Sequence, residues 1–396
     1  MQTPLTIGQF NDGYLPVTDG VVTVVRNYAY WLNEKYGKCV VYAPNAKHYQ
    51  NEESFDVQPY LSMPIPGRKP YRLGFPVFDA SYRRQVDSMQ FDLVHSHSPF
   101  SAGSEALRVA KKQHIPLVGT FHSKFYDDFV QYFHSDHIAR AGVNLVIKFF
   151  QKCDSVWTVS DATVETLREY GYQGPITVIN NGTDLAAPET QAEVDDAKQQ
   201  AEALCSLRPD QPLFVFVGQH IWQKNVRLIL EAAEQLRHIE PDFRLVFVGT
   251  GYAQHDMQAF IDEHAGMAQQ VSLLGTIQNR TLLSYLYLRA SAFVFPSVYD
   301  NAPLVVREAS AMGTPSILIQ GSTAAQGVED KVNGFLCQNS VESLRDTMLY
   351  CLRHPQQAQE IGKKAQKTLA KCWSMIVDQV YEEYLRIIEN HKAKNQ

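Results

Sequence analysis

The stretch Ser297-Val-Tyr-Asp-Asn-Ala-Pro-Leu-Val-Val-Arg-Glu-Ala-Ser-Ala-Met-Gly-Thr-Pro315 lies between two short apolar runs, Ala292–Phe295 and Ser316–Ile319. Asn301, Ala302 and Pro303 form a turn, and the apolar spacing predicts a helix from about Leu304 to Met312, closed by Gly313 and Pro315. Strand, turn, helix and strand in this order form the repeating unit of a parallel sheet. Two acids, Asp300 and Glu308, have seven residues between them around the helix start. A helix N-terminus presents backbone N–H groups to phosphate oxygens. The stretch therefore suits a phosphate together with hydroxyl-rich groups, the demand a nucleotide-sugar makes.

The same alternation extends through almost the whole chain. Strands are predicted at Leu5–Phe10, Cys39–Ala43, Leu93–Ser96, Leu117–Phe121, Ser155–Val159 and Ile176–Ile179. A second series follows at Leu213–Val217, Leu245–Val248, Val271–Leu274, Ala292–Phe295 and Ser316–Ile319. Short apolar strands separated by amphipathic helices imply parallel sheets covered on both faces, an α/β chain with doubly wound sheets. Residues 184–212 are polar, contain proline and carry no strand pattern, so they read as a linker plus a helix. This gives two domains, 1–185 and 186–373. A last helix, Ser374–His391 within 374–396, has Met375, Ile376, Val380, Tyr384, Ile387 and Ile388 at helical spacing and is expected to pack back on the first domain.

At 396 residues, 45% hydrophobic and 20% charged, the chain fits a soluble two-domain protein. A formal net charge of -6 argues against a nucleic-acid binder. No apolar run of about 18 residues suggests a membrane span, and the first residues lack a signal-peptide pattern. Six scattered cysteines without a Cys-x-x-Cys read as free thiols of a cytoplasmic protein.

In open α/β sheets, ligands bind beyond the carboxyl ends of the strands, so the loops there carry the chemistry. After the first strand, Asn11-Asp-Gly-Tyr-Leu-Pro-Val-Thr-Asp-Gly20 offers Gly13 and Gly20 for close backbone approach but is no Gly-x-Gly-x-x-Gly. His95-Ser-His-Ser-Pro-Phe100 has two histidines but no Asp, Glu or Cys at metal-ligand spacing. That leaves a polar loop facing an acceptor, or core histidines. His122, in Thr120-Phe-His-Ser-Lys-Phe125, is a candidate for bonding a sugar hydroxyl. Lys224, in Phe216-Val-Gly-Gln-His-Ile-Trp-Gln-Lys-Asn225, stands before an amphipathic helix and suits a diphosphate. Gly249-Thr-Gly251 is a tight strand-end turn compatible with a nucleobase. Residues 66–84 mix Arg68, Lys69, Arg72, Arg83 and Arg84 with aromatics, which suits an anionic membrane surface as well as an ordinary basic loop.

Together, in order, these loops with Val178-Ile-Asn-Asn-Gly-Thr-Asp184, Phe295-Pro-Ser and Asn333-Gly-Phe-Leu336 resemble the family 4 retaining glycosyltransferases, over nearly the whole chain. The resemblance implies the GT-B architecture, two Rossmann-like domains with the donor nucleotide-sugar in the cleft against the second. It implies that Glu308 binds the ribose hydroxyls, Asp300 the donor sugar, and the backbone of Asn301, Ala302, Pro303 and Leu304 the diphosphate and sugar. Lys224 would hold the diphosphate, Gly20 approach it, and His122 face the transferred sugar, with Gln219 and Gly249 beside the nucleotide. Two positions depart from the pattern. Asp300 replaces the usual Glu, shorter by roughly 1.5 Å, and Gln219 stands where an Arg is frequent.

The loops around His122 and Tyr71-Arg-Leu-Gly are more loosely similar to bacterial enzymes that glucosylate diacylglycerol. The activity expected is transfer of a hexose, uridine-linked in preference to guanosine-linked, to a lipid or glycan hydroxyl. No cofactor and no metal are expected, since no Asp-x-Asp occurs at a strand end. The expected place is the cytoplasm, with attachment at the inner membrane face through 66–84. Alternatives in the same architecture are a sugar-nucleotide epimerase, a phosphorylase, or a non-catalytic sugar-nucleotide-binding subunit.

Overall fold

The computed structural model describes residues 4–17, 19–46, 49–66 and 70–394, and divides into two compact units. The first comprises Met1–Asn181 with Trp373–Gln396, the second Gly182–Cys372. The first unit thus ends four residues before 185. Thr183 N–H donates to the Lys371 carbonyl at 2.9 Å, which ties the chain's entry into the second unit to its exit.

The first unit contains β1 (Leu5–Phe10), β2 (Gly37–Pro44), β3 (Asp56–Tyr60), β4 (Ser62–Pro64), β5 (Arg72–Gly74), β6 (Leu93–Ser96), β7 (Leu117–Phe121), β8 (Ser155–Thr158) and β9 (Thr177–Val178). Seven of them form a parallel sheet in the order β3-β2-β1-β6-β7-β8-β9, while β4 and β5 pair separately as an antiparallel hairpin. The order reverses between β1 and β6, the switch point where the loops of a doubly wound sheet diverge and leave room for a ligand. Neighbouring registers place Gln9 opposite His95, and His95 opposite Val118. The carboxyl ends of β1, β6 and β7 therefore lie side by side.

The C-terminal helix Trp373–Lys394 closes this unit. Its Asp378 accepts from the Tyr36 hydroxyl at 2.6 Å and pairs with Lys35, and Tyr381 stacks on Tyr36 with centroids 3.9 Å apart. Further along, Tyr384 stacks on Trp157 at 5.4 Å. The apolar stripe seen in the sequence is the face that docks: Ile376, Val380, Tyr384, Ile387 and Ile388 are buried, while Met375 is exposed.

The second unit holds β10 (Leu213–Val217), β11 (Arg244–Val248), β12 (Val271–Gly275), β13 (Ala292–Val294), β14 (Ser316–Ile319) and β15 (Phe335–Cys337). They form one parallel sheet in the order β12-β11-β10-β13-β14-β15. Phe214, Phe216, Phe293 and Phe295 are fully buried, as strands covered by helices on both faces require. The linker region contains the helix Gln191–Cys205, started by a capping box in which Thr190 and Glu193 satisfy each other's backbone N–H groups. Its Glu202 receives Arg289 Nε at 2.6 Å, so this segment is part of the second unit's body.

Candidate active site

Two loops of the second unit follow adjacent strands. Lys224 ends a single 3-10 turn, Trp222–Lys224, after β10, and Asp300 follows β13, the strand paired with β10. Asn225 adopts a left-handed conformation, φ 55, before the helix Val226–Arg237 begins. Asparagine tolerates that conformation better than other side chains with a Cβ. Its side-chain amide donates to the Pro296 carbonyl at 2.9 Å, which draws the two loops together.

The ammonium of Lys224 contacts both carboxylate oxygens of Asp300, at 2.6 and 2.7 Å. It lies 5.1 Å from the centroid of the Phe295 ring. Ser297 Oγ donates to Asp300 Oδ2 at 2.6 Å and accepts from the N–H groups of Tyr299 and Asp300. Thr323 donates to the Asp300 carbonyl. The side chains of Lys224 and Asp300 are 11% and 19% exposed, so water screens this pair only in part. The loop is fixed at both its side chain and its backbone.

The helix after this turn runs Leu304–Ala311, with Met312 as its cap and Gly313 at φ 71 ending it. Pro303 is its N-cap and offers no side-chain acceptor to the first-turn amides. Asn301, Ala302, Pro303 and Leu304 are all half-buried.

Glu308, one turn further on, is 5% exposed. Arg280 Nη2 donates to its Oε1 at 2.7 Å, and the Tyr287 hydroxyl donates to Oε2 at 3.1 Å. Arg280 also reaches Asp184, with Nη2 2.6 Å from Oδ1. One guanidinium thus bridges two carboxylates, and those acids hold its proton more firmly than usual against the effect of burial. Burial and the Glu308 charge keep the Tyr287 hydroxyl protonated. Sequence reasoning missed Arg280 and Tyr287 because both sit in an ordinary amphipathic pattern, and Ser297 was quoted only as part of longer motifs. Asp184 was quoted only as the end of a longer motif.

Gly249 has a structural demand of its own. At φ 128 its N–H donates to the Gly275 carbonyl at 2.8 Å, and an added Cβ would collide with the Gly218 carbonyl. Gln219, next to Gly218, is exposed. His220, by contrast, is fully buried against Phe216 and Phe247, and burial lowers its pKa to about 4.

Gly20 and His122 belong to the first unit. Gly20 opens the helix Gly20–Lys35, capped by Asp19, whose Oδ1 accepts from Val22 N–H at 2.9 Å. A Cβ on Gly20 would meet nothing within 4 Å. His122 is half-buried after β7, its Nε2 3.0 Å from His97 Nδ1. His95 and His97 are buried side chains: His95 bonds Tyr384 and Thr120, both at 2.6 Å, and His97 bonds Gln9 at 2.6 Å.

Two parallel-sheet α/β units with polar loops clustered after their strands define a GT-B glycosyltransferase fold. The model for Glycosyltransferase Family 4 matches residues 18–187, and that for Glycosyl transferases group 1 matches residues 200–368. The chain belongs to the family 4 GT-B glycosyltransferases, and it is an enzyme that transfers a sugar from a nucleotide-sugar.

Among its curated relatives is the alpha-monoglucosyldiacylglycerol synthase of Acholeplasma laidlawii, 26% identical over 91% of this chain and 92% of the relative. The enzyme of the same name from Streptococcus pneumoniae is 24% identical, covering 84% of this chain and 75% of the relative. Among solved structures, sucrose-phosphate synthase from Thermosynechococcus elongatus superposes with a TM-score of 0.81 at 19% identity, covering 98% of this chain and 100% of that one. HepE of Anabaena, solved with UDP and glucose, superposes at 0.74 and 16% identity, covering 96% and 99%. At these identities the structural likenesses establish the fold alone.

Proposed function

We propose that this chain transfers glucose from UDP-glucose to the hydroxyl of diacylglycerol at an anionic membrane surface, with retention of anomeric configuration. The observation that carries the donor half is the Lys224–Asp300 pair beside a helix start whose amides have no side-chain cap. A cation and backbone N–H groups at adjacent strand ends suit a diphosphate. Glu308, held by Arg280 and Tyr287, is a fixed carboxylate suited to the two ribose hydroxyls. Asp300 is assigned to a hydroxyl of the donor sugar, and His122 to the transferred sugar.

In the reaction, the bond from the sugar C1 to the phosphate oxygen breaks and its electrons stay on the diphosphate. Lys224 and the Leu304 end of the helix stabilise that charge as it develops, without a metal ion. The acceptor hydroxyl attacks C1 from the face the diphosphate leaves. Its proton passes to the departing phosphate oxygen, so the anomeric configuration is kept and atoms and charge balance.

The acceptor reading draws on the two diacylglycerol-glucosylating relatives and on surface chemistry. Among the described residues no helix is long and apolar enough to cross a membrane. The β4–β5 hairpin and the turn after it expose Leu61, Met63, Leu73, Val77 and Phe78, the last at 77%. Arg72 braces the hairpin through Ser62, at 2.7 Å to Oγ. Arg68 and Lys69 lie outside the described residues. An exposed apolar ridge next to basic residues suits insertion among anionic headgroups. A panel of UDP-, GDP- and ADP-sugars, read by nucleotide release with and without diacylglycerol vesicles, tests the reading. Release from UDP-glucose that depends on diacylglycerol supports it, and release that ignores the lipid removes the acceptor assignment.

A further inference from the structure

The backbone pairing of β10 with β11 continues past the ends of both strands. Gly218 N–H donates to the Val248 carbonyl at 3.0 Å, and His220 N–H to the Thr250 carbonyl at 3.0 Å. Trp222, the next alternate residue, donates its N–H to the Tyr252 hydroxyl at 3.2 Å. A side chain thus takes the third place in a series begun by two carbonyls.

Glycines let the two loops come this close. A Cβ on Gly249 would lie 2.0 Å from the Gly218 carbonyl oxygen, and one on Gly251 would lie 2.2 Å from that of His220. Ala253 N–H adds a bond to the His220 carbonyl at 3.0 Å. The segment through Gly249 and Gly251 is therefore held against the loop after β10, and it brings Tyr252 to the start of the turn Trp222–Lys224.

That turn needs an acceptor from outside. Its N-cap, Ile221, makes no side-chain cap hydrogen bond. The first N–H groups of a helical turn have no partner within it, and Tyr252 supplies one. The Tyr252 hydroxyl gives its own proton to Gln223 Oε1 at 2.5 Å. Turning the Gln223 amide over would exchange donor and acceptor and keep the contact, since a hydroxyl plays either part. Both residues that precede Lys224 in the turn are fastened to Tyr252.

On the far side of the lysine, the Asn225 amide donates to the Pro296 carbonyl at 2.9 Å and to Asn339 Oδ1 at 3.0 Å. Lys224 stands between the two fastenings. It is buried, with its ammonium on Asp300 and its Cδ 3.5 Å from the place a Gly218 Cβ would take. A lysine stem has several rotatable bonds, so its head keeps one place only when its backbone does. Small displacements of a group aligned with a reacting bond are costly in rate.

We propose that Tyr252 is a positioning residue of the transfer: its hydroxyl fixes the turn that carries Lys224 and so the place of the ammonium on the departing diphosphate. The proposal rests on the reading above that Lys224 stabilises that group, and every residue it uses lies in the second unit. It also ties the turn assigned to the nucleobase to the lysine assigned to the diphosphate. A donor seated on both bears on one connected piece of backbone.

Tyr252→Phe removes the hydroxyl and leaves a ring that is 58% exposed, so the fold is retained. UDP release from UDP-glucose with diacylglycerol vesicles is expected to show kcat lowered about threefold to tenfold, with KM for the donor within about twofold. Hydrogen exchange at the Trp222 amide should quicken at least about fivefold. In the Lys224→Ala background the same substitution should change the rate less than about twofold, because a residue that acts through Lys224 has nothing left to place. An unchanged kcat, an unchanged Trp222 exchange rate, or equal losses with and without Lys224 would each overturn the proposal. A Lys224→Ala chain that turns over at the wild-type rate contradicts the diphosphate reading and with it the part of Tyr252 in the transfer, while Trp222 exchange still reports whether the clamp itself exists.

Discussion

Lys224 contacts both carboxylate oxygens of Asp300, at 2.6 and 2.7 Å, so the lysine assigned to the diphosphate is already paired with the acid assigned to the donor sugar. A bound diphosphate must share that cation with Asp300. As the sugar–phosphate bond breaks, charge grows on the diphosphate and its claim on Lys224 strengthens, which favours the transition state over the bound donor.

Removing Asp300 should therefore separate product binding from turnover. In Asp300→Ala, UDP is expected to bind roughly threefold to tenfold more tightly while kcat falls at least about tenfold. Lys224→Ala should lower kcat/KM by about a hundredfold or more, the loss of a direct charge contact in the transition state. Asp300→Glu should keep most activity. Calorimetry with UDP and steady-state rates check these. Weaker UDP binding in Asp300→Ala would contradict the sharing argument.

Arg280 ties Glu308 to Asp184, and the consequence is a division of labour in donor binding. Arg280→Ala leaves Glu308 with the Tyr287 hydroxyl as its remaining named partner and lets the carboxylate turn. KM for the nucleotide-sugar is expected to rise about tenfold, with kcat changed less than about threefold. Glu308→Ala should lose more, because the carboxylate itself is gone. Equal losses of kcat and kcat/KM in Arg280→Ala would instead place Arg280 in the chemical step.

The buried histidines make the first unit acid-sensitive. His95, His97 and His122 have folded pKa values below the unfolded value of about 6.5. Between those values the unfolded chain binds more protons, so stability rises with pH. Their contribution is fully present above about pH 6.5 and is lost as pH falls toward the folded values, about 3 for His122. Three sites titrating together give a slope of up to roughly 4 kcal/mol per pH unit. Asp12, raised by burial, acts in the opposite sense at lower pH. Urea unfolding at pH 7.5, 6 and 5 should show falling midpoints before most carboxylates titrate. Equal midpoints at pH 7.5 and 5 would refute it.

Much of the sheet framework was legible because parallel strands buried on both faces leave runs such as Leu213–Val217 that nothing else explains. β1, β6, β7, β10 and β14 match their predicted spans. The strands that escaped are β3, β4, β5 and β15. β3 sits at a sheet edge and contains Pro59, and β4, β5 and β15 have only three residues each. In the site, Lys224 and Asp300 were readable as strand-end residues, but their pairing was not, since 76 positions separate them. The Tyr384 link was hidden more deeply. Tyr384 was legible as an apolar position of a helix, and its hydroxyl partner lies 289 residues away on β6. Periodicity reports which face is buried, not which polar atom on it meets a partner.

Membrane attachment through the β4–β5 ridge makes a separate prediction. Val77→Ser with Phe78→Ser should lower pelleting with anionic vesicles several-fold, with little effect on UDP binding. Raising salt should weaken pelleting of the wild type through screening of Arg72 and its basic neighbours. Pelleting unchanged in the double variant would exclude this ridge as the docking surface.

The most direct test of the central claim is the product itself. The purified chain, UDP-glucose and diacylglycerol in anionic vesicles are followed by proton nuclear magnetic resonance, with Lys224→Ala beside the wild type. The account predicts glucosyldiacylglycerol with the anomeric configuration of the donor, formed with equimolar UDP and nearly absent in Lys224→Ala. An inverted anomer, or the same product at wild-type rate from Lys224→Ala, would contradict it.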